Sequence, residues 1–236
     1  METRVPEKLA VRAAPCDFVF DPAKTALLVV DMQRDLIEAA GLAHALGTDT
    51  LRLQQIVPTV AELLAVCRDE ALMIVHAREA HAANALPSRI PERWQGSAPG
   101  RTFADESDTR SVFTGAEAGG DSIPALRPRS CESVINKPGR GAFYGTTLED
   151  QLRNRCITHL ILGGITTELC IQATIHEAAD RGFHCLLIED ATEPWNPEFK
   201  APALSMAMTS ANSGVCTATF AEFANAFTKD EHLVGS

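Results

Sequence analysis

Ala26-Leu27-Leu28-Val29-Val30 is an unbroken apolar run that stops at the carboxylate of Asp31. A run so short and so sharply ended reads as a strand buried on both faces of a sheet. The pattern recurs along the chain. Ala71-Leu72-Met73-Ile74-Val75 ends at His76, Ser133-Val134-Ile135-Asn136 leads to Lys137, and His159-Leu160-Ile161-Leu162 leads to Gly163-Gly164. His184-Cys185-Leu186-Leu187-Ile188 and the weaker Gly214-Val215-Cys216-Thr217 complete the set. Helical segments lie between these runs. Residues 50 to 69 carry Leu51, Ile56, Val60, Leu63, Leu64 and Cys67 at helical spacing. Thr146-Thr147-Leu148-Glu149 has the form of a capping box opening a helix that reaches about Arg155. Thr167 to Arg181 is the next helix, with Gly182 placed to end it in the left-handed conformation. Strands alternating with helices predict a single α/β domain, its parallel sheet covered on both faces.

Around this frame, residues 1–20 read as an N-terminal extension and 21–236 as the domain itself. Residues 82–130 break the rhythm with Pro, Gly and charges, and Trp94, Phe103 and Phe113 stand isolated among them. A segment that long should contain some helix and form a lid or a subunit contact. At 236 residues, with 45% hydrophobic and 22% charged side chains, the chain has the usage of an ordinary globular protein. Acids outnumber bases by 31 − 21 = 10, a field that repels phosphate backbones and anionic lipid. A small-molecule ligand is expected, with no nucleic acid and no membrane among the partners. The start, Met1-Glu2-Thr3-Arg4-Val5-Pro6, lacks a signal-peptide core, and a cytoplasmic protein is the expectation. Seven cysteines without a C-x-x-C pair argue against a disulfide framework and a zinc ribbon.

In an open parallel sheet, ligands sit beyond the carboxyl ends of the strands, so the residues just after each run matter most. That criterion selects Asp31, Lys137 and the stretch Gly163-Gly164-Ile165-Thr166-Thr167-Glu168-Leu169-Cys170. With Thr166 or Thr167 as N-cap, Cys170 falls in the first turn of a helix, where the dipole favours thiolate. Its plain alternative is a small apolar filler. Gly163 and Gly164 allow a sharp turn that aims amides near Thr166 and Cys170 at one spot, a means of holding an oxyanion. Asp31, partly desolvated, is a candidate base for the thiol or simply a helix N-cap. Lys137, before a Pro-Gly turn, either holds Asp31 ionised or is an ordinary exposed lysine. Arg140 is a candidate binder of carbonyl or carboxylate, or a solvated arginine. Thr209-Ser210-Ala211-Asn212-Ser213 and Trp195 are candidates for polar contacts to substrate. His76 and His81, five residues apart, lack the spacing of a helical zinc pair, and with Arg78 and Glu79 they are expected to line the pocket or pair with acids nearby.

Together these residues resemble the isochorismatase-like cysteine hydrolases. The resemblance rests on Leu28-Val29-Val30-Asp31-Met32-Gln33, on Lys137-Pro138 with Gly141-Ala142-Phe143-Tyr144-Gly145-Thr146-Thr147-Leu148, and on Gly163 to Cys170. It extends into Ala178-Ala179-Asp180-Arg181-Gly182 and Glu189-Asp190-Ala191-Thr192. What it implies is a Rossmann-like three-layer α/β/α fold with a six-stranded, mostly parallel sheet. It also implies an Asp31–Lys137–Cys170 triad, an oxyanion hole at Thr166 and Cys170, and a cis peptide between Ile165 and Thr166. Arg140, Ile165 and Asn212 then fall at substrate contacts.

Within the family, the run Val75 to His81 with Leu86 and Arg93-Trp94 looks most like the biuret and triuret hydrolases. Nicotinamidases carry an Asp and two His metal cluster there, from which this sequence departs. The resemblance therefore implies hydrolysis of a small linear ureide through a cysteine thioester, with release of ammonia and with no metal or organic cofactor. By family analogy the protein is a homotetramer. The alternatives are another carbamoyl amide, such as an N-carbamoyl amino acid or ureidoacrylate, or a non-catalytic thiol-containing binding protein.

Overall fold

The computed structural model describes residues 8–45, 48–80, 118–208 and 214–228. Six strands form one sheet: β3 (Thr25–Val30), β4 (Met73–Glu79), β5 (Ser133–Lys137), β6 (His159–Ile165), β7 (His184–Glu193) and β8 (Val215–Ala218). Their order is β5-β4-β3-β6-β7-β8, and all five pairings are parallel. A separate antiparallel pair, β1 (Leu9–Val11) and β2 (Phe18–Phe20), precedes the sheet.

Alternation along the strands explains the layers. Leu27, Val29, Ile74, Ile161, Leu186 and Ile188 point to one face, where they pack on Val60, Leu63, Leu64 and Cys67. Those four come from the long helix Val57–Asp69. Phe223 and Ala226 of the helix Phe220–Thr228 join them, as do Val11, Phe18 and Phe20 of the hairpin. Ala26, Leu28, Val30, Val75, Ala77, Leu160 and Leu162 face the other way. There they meet Leu148 and Leu152 of helix Leu148–Asn154, and Ile175 and Ala178 of helix Gln172–Asp180. Each buried Val, Leu, Ile or Phe among them contributes about 1.5–3 kcal/mol by leaving water, so the two apolar layers, not the strand ends, hold the sheet. The ends are thereby left for chemistry.

Several boundaries differ from the sequence expectation. Strands β4, β6 and β7 run beyond their apolar cores to Glu79, Ile165 and Glu193. Parallel neighbours continue the backbone ladder there whatever the side chain. Residues 50 to 69 form two helices, Thr50–Gln54 and Val57–Asp69, and Pro58 stands in the first turn of the second. The expected capping box is half made. Thr146 Oγ1 accepts from the Leu148 amide at 3.2 Å, but Glu149 pairs with Arg181 and Arg153. The helix expected from Thr167 opens with a wider π turn, Thr167–Ile171, before the regular helix Gln172–Asp180. Of segment 82–130, residues 82–117 lie outside the described residues, and the remainder has short 3-10 turns at Ala118–Gly120 and Pro124–Leu126. Among the described residues, no helix is long and apolar enough to cross a membrane.

Candidate active site

Strands β4 and β6 flank β3, and the chain leaves β3 in one direction and returns in the other, so the topological switch lies between β3 and β6. Asp31 follows β3 directly, and its backbone takes the left-handed conformation at φ 54° with its amide donating to Ala77 O at 2.8 Å. Asp is among the few residues that tolerate this region. Asp31 is not a helix cap: the first helix, Arg34–Ile37, has Gln33 at its N-cap position. Lys137 ends β5 fully buried, and Cys170 sits in the π turn after β6 with 8% exposure. The Lys137 ammonium lies 2.8 Å from Asp31 Oδ2 and 3.6 Å from Cys170 Sγ, and donates to Gly139 O at 3.2 Å. Three side chains from distant parts of the chain thus meet at one mouth of the sheet.

Their protonation follows from burial and mutual charge. Burial raises the Asp31 carboxyl from 3.8 to about 6, with Lys137 and the thiol hydrogen bond holding it down and the charge of Glu79 adding to the rise. Burial opposes the Lys137 ammonium, but the charges of Asp31, Cys170 and Glu79 win and push it above its ordinary value. Cys170 departs from the expected thiolate. Burial, then the charge of Asp31, push the thiol well up, and Lys137 only partly compensates. The resting site therefore holds S–H, carboxylate and ammonium, with the carboxylate in the role of proton acceptor.

The turn carrying Cys170 depends on a glycine. Gly164 has φ 122°, and a Cβ there would collide with Val30 O. The Ile165–Thr166 peptide is cis, as the resemblance implies. Thr166 is buried, and its hydroxyl has no hydrogen-bond partner among the described residues. Ile165 is fully buried in the apolar cluster on the Leu63 face, which leaves its backbone rather than its side chain for any substrate contact. Arg140 is exposed. Asn212 and His81 lie outside the described residues. His76 is 2% exposed and contacts Glu132 Oε2 at 2.9 Å, and Arg68 pairs with the same carboxylate at 2.7 Å, so this histidine pairs with an acid. A cavity of about 280 Å³, lined by Arg68, Met73, Glu132, Ser133 and Arg155, lies at the starts of β4 and β5, away from the triad.

Two further residues join the triad, Glu79 from the run Val75 to His81 and Gln33 from the motif that follows β3. Glu79 ends β4, and one oxygen of its carboxylate, one of Asp31 and Cys170 Sγ all lie within 4.8 Å of one another. Gln33 is fully buried and clamps the Glu79 backbone, donating to its carbonyl at 3.0 Å and accepting from its amide at 2.8 Å. The signal for Glu79 was present. Continuing the period of two from Val75 through Ala77 reaches it on the face of Lys137. Asp31, Glu79 and Cys170 are also the one group of three potential metal ligands among the described residues. The buried ammonium already occupies the cation's place beside Asp31, so this set does not fit a resident metal.

Fold and site together define a class: a doubly wound α/β protein with thiol, carboxylate and ammonium gathered at the carboxyl edge of its sheet. The chain belongs to the isochorismatase family, whose domain model matches residues 25–220. It is 27% identical over 191 residues to the ureidoacrylate amidohydrolase RutB of Variovorax paradoxus (strain S110), covering 79% of this chain and 75% of that one. The RutB of Enterobacter sp. (strain 638) is 27% identical over 195 residues, covering 81% and 84%. Among solved structures, a cysteine hydrolase from Pseudomonas syringae pv. phaseolicola 1448A superposes with a TM-score of 0.72 at 23% identity, covering 89% of this chain and 94% of that one. N-carbamoylsarcosine amidase from Thermoplasma acidophilum gives 0.62 at 21% identity, covering 84% and 96%.

Proposed function

We propose that the protein is an amidohydrolase that cleaves a C–N bond of a small carbamoyl compound through a thioester on Cys170. The observation that carries this is the convergence of Asp31, Lys137 and Cys170, with a carboxyl raised to about 6 beside a protonated thiol. Asp31 takes the thiol proton as sulfur attacks the carbamoyl carbon, and the backbone amides of Thr166 and Cys170 hold the tetrahedral oxyanion. The same carboxylic acid then returns the proton to the departing nitrogen, which leaves as ammonia or an amine. Asp31, ionised again, activates a water that hydrolyses the thioester, and Lys137 keeps the carboxylate in place throughout.

For the substrate, we take a linear ureide such as biuret or triuret as the first reading, on the likeness of the Val75 to His81 run. A second reading, an N-carbamoyl acid of the ureidoacrylate type, is favoured by the two 27% identical relatives. Initial rates on biuret, triuret, N-carbamoyl acids and nicotinamide separate the two. Cys170→Ser should abolish ammonia release while leaving the circular dichroism spectrum unchanged, and intact mass of the wild-type protein under turnover should show an acyl adduct on Cys170. Full ammonia release by the serine variant rejects the covalent route, and the absence of any adduct or turnover across the panel favours a non-catalytic binding protein.

A further inference from the structure

We propose that Cys16 and Cys216 form an oxidation site: a peroxide closes the two thiols into a disulfide that fastens the N-terminal hairpin to the edge of the sheet. The site uses none of the residues of the proposed hydrolase.

Position comes first. Strand β8 lies at one edge of the sheet, where backbone donors and acceptors need cover. Part of that cover is the connection between β1 and β2. Within it, Ala14 donates its amide to Thr217 O at 2.9 Å and accepts from the Thr217 amide at 2.8 Å. Two residues on, Cys16 brings its sulfur to 3.9 Å from Cys216 Sγ. Apolar contact holds the rest of the hairpin, since Val11, Phe18 and Phe20 share a cluster with Cys216, Ala218 and Phe223. An S–S bond is about 2.05 Å long, so the sulfurs need to approach by about 2 Å. Rotation about the Cα–Cβ bond of the exposed Cys16 covers that distance.

Chemistry comes second. All seven cysteines are free, and Cys67, Cys170 and Cys185 are buried. Cys185 belongs to the cluster on the opposite face of the sheet from Cys216, so it does not compete for Cys16. Cys131 and Cys156 are exposed, but among the described residues neither meets a second thiol. Cys16 is the accessible member of the pair and meets the oxidant first. Burial, then the hydrogen bond and charge of Cys16, push the Cys216 thiol up to about 11, so it waits as S–H. The Cys16 thiolate attacks one peroxide oxygen and the O–O bond breaks. Hydroxide leaves, takes up a proton as water, and Cys16 becomes a sulfenic acid. The Cys216 sulfur then attacks the Cys16 sulfur, and its proton leaves with the sulfenic hydroxyl as a second water. In sum, two thiols give up two electrons and two protons to one peroxide. The new bond joins residues 200 apart in sequence, which removes freedom from the unfolded chain.

The test treats the reduced, intact chain with hydrogen peroxide, blocks the remaining thiols with N-ethylmaleimide and maps the product without reductant. The expected result is a cross-link between the tryptic peptides Ala13–Lys24 and Ala201–Lys229. The linked protein should melt about 5–10 °C higher, and dithiothreitol should reverse the rise. Cys16→Ser and Cys216→Ala should each abolish both the cross-link and the rise, and because Cys16 is exposed its serine variant should melt like the reduced wild type. Oxidation of Cys16 to an unlinked sulfinic acid overturns the proposal, as does a link from Cys16 to a different cysteine or to a second molecule. A linked protein that melts like the reduced one, or a rise that persists in Cys16→Ser, overturns it as well.

Discussion

The acidic limb of the pH–rate profile tests the proton relay directly. Asp31 must be ionised to take the thiol proton, and burial has raised its carboxyl from 3.8 to about 6, so activity is lost as pH falls through that value. With a midpoint near 6, roughly 91% of the sites are competent at pH 7 and roughly 9% at pH 5, a fall of about tenfold in kcat/KM. An unshifted carboxyl would still be roughly 94% ionised at pH 5 and would leave the rate nearly flat. Initial rates of ammonia release between pH 4.5 and 8, at constant ionic strength, provide the assay. Alkylation of Cys170 by iodoacetamide provides a substrate-free parallel: with its thiol pushed up by burial and by Asp31, Cys170 should react more slowly than free cysteine at pH 7. A kcat/KM that changes less than twofold between pH 5 and pH 7 would refute Asp31 as the buried base.

Further consequences follow from the same geometry. Lys137→Met leaves a buried carboxylate without its ammonium, a loss of about 3–5 kcal/mol when Asp31 is ionised. Because that loss vanishes once Asp31 is protonated, urea denaturation should show a larger deficit at pH 8 than at pH 5, and equal deficits would contradict the pairing. Gly164→Ala drives a Cβ into Val30 O at a left-handed position, so stability should drop by about 3 kcal/mol or more, a Tm decrease of roughly 6–12 °C. Retention of the wild-type melting temperature would mean the turn relaxes freely. Burial opposes ionisation of Glu132, but bonds from Arg68, the Arg129 amide and His76 hold its carboxyl down to about 2. The stability it supplies is therefore complete above its ordinary 4.5 and disappears as pH falls toward 2. Glu132→Gln should cost about 2–3 kcal/mol at pH 7, and its thermal melts should lose less between pH 4.5 and 2.5 than those of the wild type.

The sheet strands were legible in the sequence because burial on both faces leaves continuous apolar runs, as in Leu27 to Val30, and even the edge strand Ser133–Lys137, with Val134 and Asn136 exposed, keeps a short one. Their ends were not. Gly163 and Gly164 look like a loop, yet they pair with Val29 and Val30, because a strand without side chains fits where another backbone comes close. The hairpin of Leu9–Val11 and Phe18–Phe20 escaped because three-residue strands carry too little period to recognise. The triad positions could be picked out since each follows an apolar run, and a site at the carboxyl edge of an open parallel sheet needs only the strand ends to be located. Glu79 stood out only as one member of a pocket-lining run, because its proximity to sulfur is a matter of register between β4 and β5 rather than of neighbours in the chain. The resting state of Cys170 was misjudged for a related reason: a helix dipole is local and visible in sequence, whereas the burial that overrides it belongs to the assembled layers.

The lysine of this site is anchored on β5, yet its partner follows β3, with all of β4 running between them. Two strand spacings, about 9.5 Å, separate the anchors, and the side chain must span both to reach the acid. The ion pair therefore works as a stitch across three strands. A slip of β4 against either neighbour would part acid from ammonium without altering either, so an exchange inside the sheet that touches no reacting atom is enough to disarm the site.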